Sequence, residues 1–338
     1  MNKKILDALN CKNSGRPPIW IMRQAGRYMP EYRALRAKYS FIEMCHKPEL
    51  CTEITLMPIH EFGFDAAILF SDILVIPEAL GVGLRFEEGK GPIIEKPLVH
   101  INDISQLKMP KIEESLSYVS SAIRLIKPQL KVPLLGFCGA PFTVASYMIE
   151  GGSSRDLKKT KQWMLRNSNS FHDLLNKISC CTIDYLKMQI KAGVDAIQIF
   201  DSWAHFLGHN HFREFSLHYL QKLMEGIKET QIPVILYCRG SSVFANQLAE
   251  LQPAGISIDW NGNLAEIRSK VPSGIALQGN MDPDVLYADS KVICKEAGSL
   301  INSMRNDPGY IFNLGHGIHP DTPVESVRTL VDFIKSQV

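Results

Sequence analysis

Short, almost continuously apolar runs alternate along the chain with longer amphipathic segments. Runs of this kind are typical of parallel strands that are covered on both faces. We interpret eight of them as strands: Pro18–Met22, Ala66–Phe70, Val132–Phe137, Ala196–Phe200, Pro233–Tyr237, Gly255–Ile258, Gly274–Leu277 and Tyr310–Leu314.

The segments between these strands carry helical signals. Lys47–Phe62 is predicted to be a helix with a proline near its start, where a missing N–H does no harm. Asp156–Ala192 is too long for one typical helix, so we expect a break near residues 167–169 and a C-terminal cap at Gly193. Residues 75–99 are rich in Gly and Pro and indicate an insertion after the second strand, with a hairpin as its expected form.

Eight strands that alternate with helices predict an α/β fold around a parallel sheet. The count favours a single (β/α)8 TIM-type barrel, and a doubly wound sheet is the alternative. A chain of 338 residues fits one such barrel with insertions. No Pro/Ser-rich linker interrupts the chain, so we expect one domain over residues 1–338.

Polar residues and glycines follow most of the predicted strands. Asp72 follows the second strand, Asp201-Ser202 follow the fourth, and Gly315-His316-Gly317 follow the last. Barrel enzymes build their active sites at the carboxyl ends of the strands. The pattern therefore predicts an active-site cleft at that end of the barrel.

Several arginines follow the first predicted strand. Arg23 and Arg27 stand four residues apart and would share one face if the segment became helical, and Arg36 lies farther along. The two small residues between them leave room for a large anion near the backbone. Guanidinium groups bind carboxylates through paired hydrogen bonds and stay charged in a dry site. A carboxylate-binding site and a solvated basic helix face are both compatible with this pattern.

Asp72 lies between two apolar segments, which is unusual for a surface acid. Burial would raise its pKa unless hydrogen-bond donors favour the anion. Three roles remain open from the residues alone: a ligand-binding carboxylate, a helix N-cap, or one half of a structural ion pair.

Three further polar residues are candidates for the same cleft. Tyr147 ends a small-residue segment and is either a donor to a ligand or a core tyrosine with a bonded hydroxyl. Ser202 lacks the surroundings of a nucleophilic serine, so we expect a hydrogen-bonding role. His316 stands between two glycines, which suggests an exposed loop that faces a ligand, with a plain loop histidine as the alternative.

Composition excludes several classes of protein. The formal net charge of +2 provides no global field for nucleic acid. The eight cysteines form no CxxC pair or zinc-finger spacing, which favours free thiols in a reducing cytosol and makes a metal site unexpected. Neither a complete dinucleotide fingerprint nor a phosphate loop is present. No apolar stretch is long enough for a membrane span, so we expect a cytoplasmic protein.

Four segments together resemble the uroporphyrinogen decarboxylase family. They occur in the family's order and extend over nearly the whole chain, and the first of them is highly specific. They are residues 18–32 (PIWIMRQAGRYMPEY), residues 70–74 (FSDIL), residues 136–152 (GFCGAPFTVASYMIEGG) and residues 313–317 (NLGHG).

The resemblance implies a (β/α)8 barrel that works as a homodimer without a metal or cofactor. It implies that the four acetate arms of uroporphyrinogen III become methyl groups, giving coproporphyrinogen III in haem biosynthesis. Asp72, Arg23 and Tyr147 match the family's catalytic positions. The matching substrate-contact positions are Arg23, Gln24, Ala25, Gly26, Arg27, Arg36, Asp72, Tyr147, Ser202 and His316.

The substrate's chemistry suits these residues. Eight carboxylates on its rim call for cations, and four pyrrole N–H groups at its centre call for one acceptor. We hypothesise that a protonated pyrrole carbon makes the ring an electron sink, with Asp72 stabilising the resulting cation. The proton donor stays open between Arg23 and Tyr147.

Two other classes remain as alternatives. Zinc methyltransferases of the same broad superfamily need a His-x-Cys pair at a strand end, where this chain has Tyr237-Cys238-Arg239. A tetrapyrrole carrier would use the same arginines but would need nothing to stabilise a cationic ring.

Overall fold

A curled parallel sheet of seven strands forms the centre of the protein. The computed structural model describes residues 2–87 and 89–337. The strands in chain order are β1 (Ala67–Ile68), β2 (Leu84–Glu87), β3 (Gly91–Ile94), β4 (Leu134–Gly139), β5 (Ala196–Asp201), β6 (Val234–Cys238), β7 (Gly255–Ser257), β8 (Ala276–Met281) and β9 (Tyr310–Leu314). The parallel sheet has the order β1-β4-β5-β6-β7-β8-β9, and β2 and β3 form a separate antiparallel hairpin.

Helices follow most of the sheet strands. In chain order they are α1 (Lys4–Leu9), α2 (Pro30–Arg36), α3 (Phe41–His46), α4 (Pro48–Phe62), α5 (Val75–Ala79), α6 (Ile101–Gln106), α7 (Ile112–Ser115), α8 (Ser117–Ile126), α9 (Pro141–Glu150), α10 (Lys158–Arg166), α11 (Ser168–Ala192), α12 (His209–Phe212), α13 (His218–Ile227), α14 (Ser241–Glu250), α15 (Leu264–Arg268), α16 (Ser290–Ser303) and α17 (Val324–Ser336). A π-helical turn, Arg213–Leu217, joins α12 to α13.

The sheet strands are buried along their whole length from β4 to β9. Continuous burial explains why their sequences are apolar throughout rather than alternating, because both faces of the sheet are covered. All neighbouring strands in the sheet run parallel, so their carboxyl ends meet at one edge.

Seven of the eight predicted strands are confirmed, with shifts of at most four residues at their ends. The predicted break in the long helical segment is also confirmed, because α10 ends and α11 begins on either side of Asn167. Gly193 caps α11 with φ +117°, a conformation that glycine adopts without steric cost. The predicted insertion contains the β2–β3 hairpin.

The predicted first strand, Pro18–Met22, is not a regular strand and makes one isolated bridge, from Ile19 to Phe312 of β9. Pro18 has no N–H, and side chains accept from three of the other four backbone donors. The amides of Ile19 and Met22 donate to the side chains of Asp65 and Asn313. The segment still lies between the two outer strands of the sheet. On one side Phe312 N of β9 donates to Pro18 O, and on the other side Asp65 N, just before β1, donates to Ile19 O.

The expected helical face for Arg23 and Arg27 is wrong. Residues 23–29 form turns and bends, and α2 begins only at Pro30. Arg23 has a left-handed backbone with φ +65°, which is incompatible with an α-helix at that point. Within residues 2–87 and 89–337, no helix is both long enough and apolar enough to span a membrane.

Candidate active site

The candidate residues converge on the carboxyl edge of the sheet. Asp72 follows β1, Tyr147 lies in α9 directly after β4, Ser202 follows β5, and His316 follows β9. Arg23 follows the segment that bridges to β9. Because parallel strands end at one edge, five residues far apart in sequence come to the same face of the protein.

Arg23 is held in place by a glycine. A Cβ built on Gly317 would lie 2.5 Å from Arg23 Cδ and 2.9 Å from its Nε, so the arginine side chain lies directly across that glycine. The left-handed φ of Arg23 costs free energy in a residue with a Cβ, and such strain often marks functional sites. The loop after β9 therefore packs against the stem of the Arg23 side chain.

Asp72 is a partly buried carboxylate with one protein partner. Its Oδ1 accepts a hydrogen bond from Leu74 N at 2.7 Å, and its Oδ2 accepts none from the part of the chain that the structure describes. Burial raises the pKa of Asp72 to about 6, while the Leu74 N–H and the Arg23 charge lower it and Glu78 raises it. It is no N-cap of α5, whose N-cap residue is Leu74.

Tyr147 stacks on Trp203, with ring centroids 3.8 Å apart and an angle of 22° between the planes. Burial, followed by the neighbouring Asp72 charge, raises the pKa of its hydroxyl to about 12, so the hydroxyl stays protonated. The buried Asp201 carboxylate fixes this pair indirectly. Asp201 accepts from Thr143 Oγ1, which itself accepts from Trp203 N at 3.0 Å.

His316 is a neutral imidazole with one nitrogen already bonded. Its Nδ1 lies 2.7 Å from the Tyr237 hydroxyl. Burial, followed by the charges of Arg23 and Arg239, lowers the pKa of His316 to about 3. Since the ring is neutral and Nδ1 is occupied, Nε2 is the nitrogen that remains for a ligand.

The glycines beside His316 have a packing role that the sequence did not reveal. A Cβ on Gly315 would lie 2.3 Å from Trp260 N, and Gly317 faces Arg23 as described above. His316 is partly buried rather than exposed. The expectation of an exposed loop is therefore wrong, because the glycines serve close packing on both sides of the histidine.

The three candidate arginines lack carboxylate partners in the part of the chain that the structure describes. Among the described residues, the arginines within 4 Å of a carboxylate are Arg16, Arg85, Arg213, Arg268 and Arg328. Arg23 and Arg27 are exposed and absent from this set, and Arg36 donates to the backbone oxygen of Tyr39 at 2.7 Å. An uncompensated positive edge is suited to an anionic ligand.

The other candidates differ in what they offer a ligand. The Gln24 side chain is buried and donates to Ala66 O at 3.1 Å, while its main-chain N–H donates to Ile21 O and its main-chain oxygen accepts from the Tyr28 hydroxyl. Ala25 and Gly26 are partly buried and present little bulk. Ser202 is partly buried, and its backbone oxygen lies 3.1 Å from His205 Nδ1.

Four residues of this region were missed from the sequence. Trp203 stacks on Tyr147, Tyr237 bonds to His316, Trp260 packs on the loop after β9, and Arg239 lies over the Trp260 ring at 6.0 Å. Three of the four follow the ends of β5, β6 and β7 and the fourth lies within β6, so position relative to the strand ends was the available signal.

The donor set does not suit a metal ion. Within residues 2–87 and 89–337, no group of three or more His, Cys, Asp or Glu side chains could hold one. Cys238 ends β6, and its thiol is buried and points to the Arg239 backbone oxygen, with Tyr237 before it. This strand end therefore lacks the histidine of the His-x-Cys pair that zinc methyltransferases require.

Solved structures of known proteins share this fold. A methyltransferase from Methanosarcina mazei superimposes with a TM-score of 0.83 over 98% of this chain and 97% of its own, at 21% identity. A B12-independent methionine synthase from Shewanella sp. W3-18-1 gives a TM-score of 0.55 at 12% identity, over 95% of this chain and 96% of its own. At these identities the likeness concerns the fold alone.

Sequence comparison identifies the family. The family model described as "Uroporphyrinogen decarboxylase (URO-D)" matches residues 1–337. A uroporphyrinogen decarboxylase from Protochlamydia amoebophila is 56% identical over 336 residues, covering 99% of this chain and 92% of that protein. One from Ruthia magnifica is 45% identical, covering 97% of each chain. The chain belongs to the uroporphyrinogen decarboxylase family.

Proposed function

We propose that this protein removes the carboxyl groups from the four acetate arms of uroporphyrinogen III, giving coproporphyrinogen III and CO2. Family membership supports the reaction. The observation that carries it is the Asp72 carboxylate, which keeps an unpartnered oxygen beside Arg23 at an edge of unpaired arginines. A polyanionic ring with N–H donors at its centre matches that arrangement.

Substrate binding divides the polar groups into two kinds. Arg23, Arg27 and Arg36 bind rim carboxylates through their guanidinium groups, which tolerate a dry site without losing charge. Asp72 accepts the pyrrole N–H groups. The remaining contacts come from the main chain of Ala25 and Gly26, which Gln24 anchors to Ala66, and from the side chains of Tyr147, Ser202 and His316.

Catalysis depends on charge that appears during the reaction. A proton adds to the pyrrole carbon next to the one that bears the acetate arm, and the ring becomes cationic. The bond to the carboxylate then breaks, CO2 leaves, and its electron pair neutralises the ring. A proton added to the arm and one lost from the ring carbon leave a methyl group, so each CO2 consumes one proton.

Asp72 stabilises the cationic ring more than the neutral substrate. Only such a difference lowers the barrier, since equal stabilisation of both states would change affinity alone. The carboxylate is already oriented by Leu74 N, so little reorganisation is needed when the charge develops.

Two groups are in place to supply the proton. The charge of Arg23 lowers the pKa of Asp72, and the charge of Asp72 raises the pKa of Tyr147, so both groups lie close enough to interact with this carboxylate. The high pKa of Tyr147 keeps its hydroxyl protonated over the whole physiological range. Arg23 adds a cation that holds the reacting carboxylate in position.

The proposal also covers the closure of the barrel, the number of domains and the oligomeric state. Residues 18–22 bond to β9 on one side and to the residues before β1 on the other, and we infer that they take the eighth place in a (β/α)8 barrel. One continuous core from Ile5 to Ile334 supports a single domain. We propose a cytoplasmic homodimer that needs no metal or cofactor, in keeping with the unsuitable donor set.

Turnover by stripped protein tests the function. Protein dialysed against a chelator is incubated with uroporphyrinogen III under reducing conditions, and CO2 and porphyrinogen products are quantified. We expect four CO2 per macrocycle and coproporphyrinogen III. Binding without CO2 release would favour a carrier, and activity that returns only with added zinc would favour the methyltransferase chemistry.

A further inference from the structure

Arg239 is a cation at the active-site edge that the family motifs did not single out. It directly follows β6 and is exposed. Its guanidinium carbon lies 6.0 Å from the centroid of the Trp260 ring, within the range of a cation–π contact. Among the described residues, no carboxylate lies within 4 Å of it, unlike the five arginines that form ion pairs.

Trp260 connects Arg239 to His316. The centroids of the Trp260 and His316 rings are 6.2 Å apart, and His316 Nδ1 bonds to the Tyr237 hydroxyl at 2.7 Å. Gly315 packs on Trp260, while Gly317 packs on Arg23. In the loop after β9, Gly317 thus contacts Arg23 directly, and Gly315 contacts Arg239 through Trp260. His316 lies between the two glycines.

The charges of both arginines act on the same histidine. After burial, Arg23 and then Arg239 are the largest influences that lower the pKa of His316. Arg239 also lowers the pKa of His205. Two cations beside a neutral imidazole leave this side of the site with excess positive charge, which an anionic group would offset.

The charge of Arg23, and not that of Arg239, acts on the two groups assigned to the reacting centre. Arg23 lowers the pKa values of both Asp72 and Tyr147, and Arg239 is not among the influences on either group. An anion held by Arg239 would therefore be remote from the carboxylate that is being lost.

We propose that Arg239 binds a carboxylate arm of the tetrapyrrole on the His316 side of the cleft, and that Trp260 holds the guanidinium in the orientation for that contact. This inference rests on the proposed function and adds a substrate-binding residue to it. A remote contact is present equally in the ground state and the transition state, so it strengthens binding without changing the chemical step.

The test compares Arg239→Gln with Arg305→Gln. Arg305 is also exposed and without a carboxylate within 4 Å in the described part of the chain, but it precedes β9 and so lies at the opposite end of the sheet. Steady-state kinetics with uroporphyrinogen III should show a KM about tenfold higher for Arg239→Gln, with kcat within twofold of wild type. Arg305→Gln should match wild type in both constants.

Two further measurements separate the outcomes. The dissociation constant of uroporphyrinogen, measured by equilibrium binding in an Asp72→Asn background, should also rise about tenfold when Arg239→Gln is added. Arg239→Lys should recover part of that loss, because the charge remains and the planar fork is lost. Equal KM and dissociation constants for Arg239→Gln and Arg305→Gln would overturn the inference, as would a fall in kcat without a change in KM. An inactive wild-type protein would instead refute the proposed function.

Discussion

Replacing Asp72 with asparagine should make the folded protein more stable above pH 6. Burial raises the pKa of this carboxyl from 3.8 to about 6, so the folded state holds the charged form at a cost. Asparagine keeps an oxygen that can accept from Leu74 N, and it removes the charge. The substitution therefore removes the cost of the buried charge while keeping the turn.

The size of the effect follows from the pKa. Each pKa unit corresponds to about 1.4 kcal/mol, so a rise from 3.8 to about 6 amounts to about 3 kcal/mol in the free energy of unfolding. Asp72 is partly exposed, and solvent screening reduces the value to about 1–3 kcal/mol. Because the pKa is raised in the folded state, the wild-type protein loses this amount of unfolding free energy as the pH rises from about 4 to above 6.

Urea denaturation at several pH values between 4 and 8, at one protein concentration, measures the difference between the variant and wild type. We expect Asp72→Asn to gain stability above pH 6 and to lose that advantage near pH 4. Asp103→Asn is a control of opposite sign, because hydrogen bonds from the His100 and Val99 amides lower the pKa of Asp103. A variant that is destabilised equally at every pH would refute the reasoning for Asp72.

Two substitutions test the positioning of Arg23. Arg23→Lys keeps the charge but loses the planar fork, so kcat should fall at least about tenfold in steady-state assays. Gly317→Ala places a Cβ 2.5 Å from Arg23 Cδ, and the flexible arginine must move. Its free energy of unfolding should change by less than about 1 kcal/mol, while turnover falls about tenfold to a hundredfold.

Matched variants distinguish these effects from general damage. Arg305→Lys changes an exposed arginine away from the site and should leave kcat unchanged. Gly274→Ala adds a Cβ with no heavy atom within 4 Å and should alter neither stability nor turnover. Full activity in Arg23→Lys would show that bidentate binding there is wrong, and a wild-type rate in Gly317→Ala would show that the glycine does not position Arg23.

The sequence predicted the strands well because their burial is continuous. Seven strands and the break at Asn167 followed from apolar runs and cap residues. The first predicted strand failed because long-range side chains decide its hydrogen bonds. Asp65 and Asn313 take the amides of Ile19 and Met22, and these partners are 46 and 291 residues away in sequence.

The sequence could predict those site residues that follow strands or belong to family motifs. Asp72 and His316 were expected directly after strands, and the structure brings them to one edge together with Tyr147. The close contact between Gly317 and Arg23, and the cation over Trp260, depend on three-dimensional packing between distant segments. Sequence patterns alone contain no information about such pairs.

The central claim is that the Asp72 charge stabilises the cationic macrocycle during decarboxylation. A charge pair about 4 Å apart in a dielectric near 20 is worth about 4 kcal/mol, or roughly a thousandfold in rate. The single-turnover rate of Asp72→Asn at saturating uroporphyrinogen tests this most directly. We predict a rate about two to three orders of magnitude below wild type, with the dissociation constant changed less than about tenfold. A near-wild-type rate would contradict the claim.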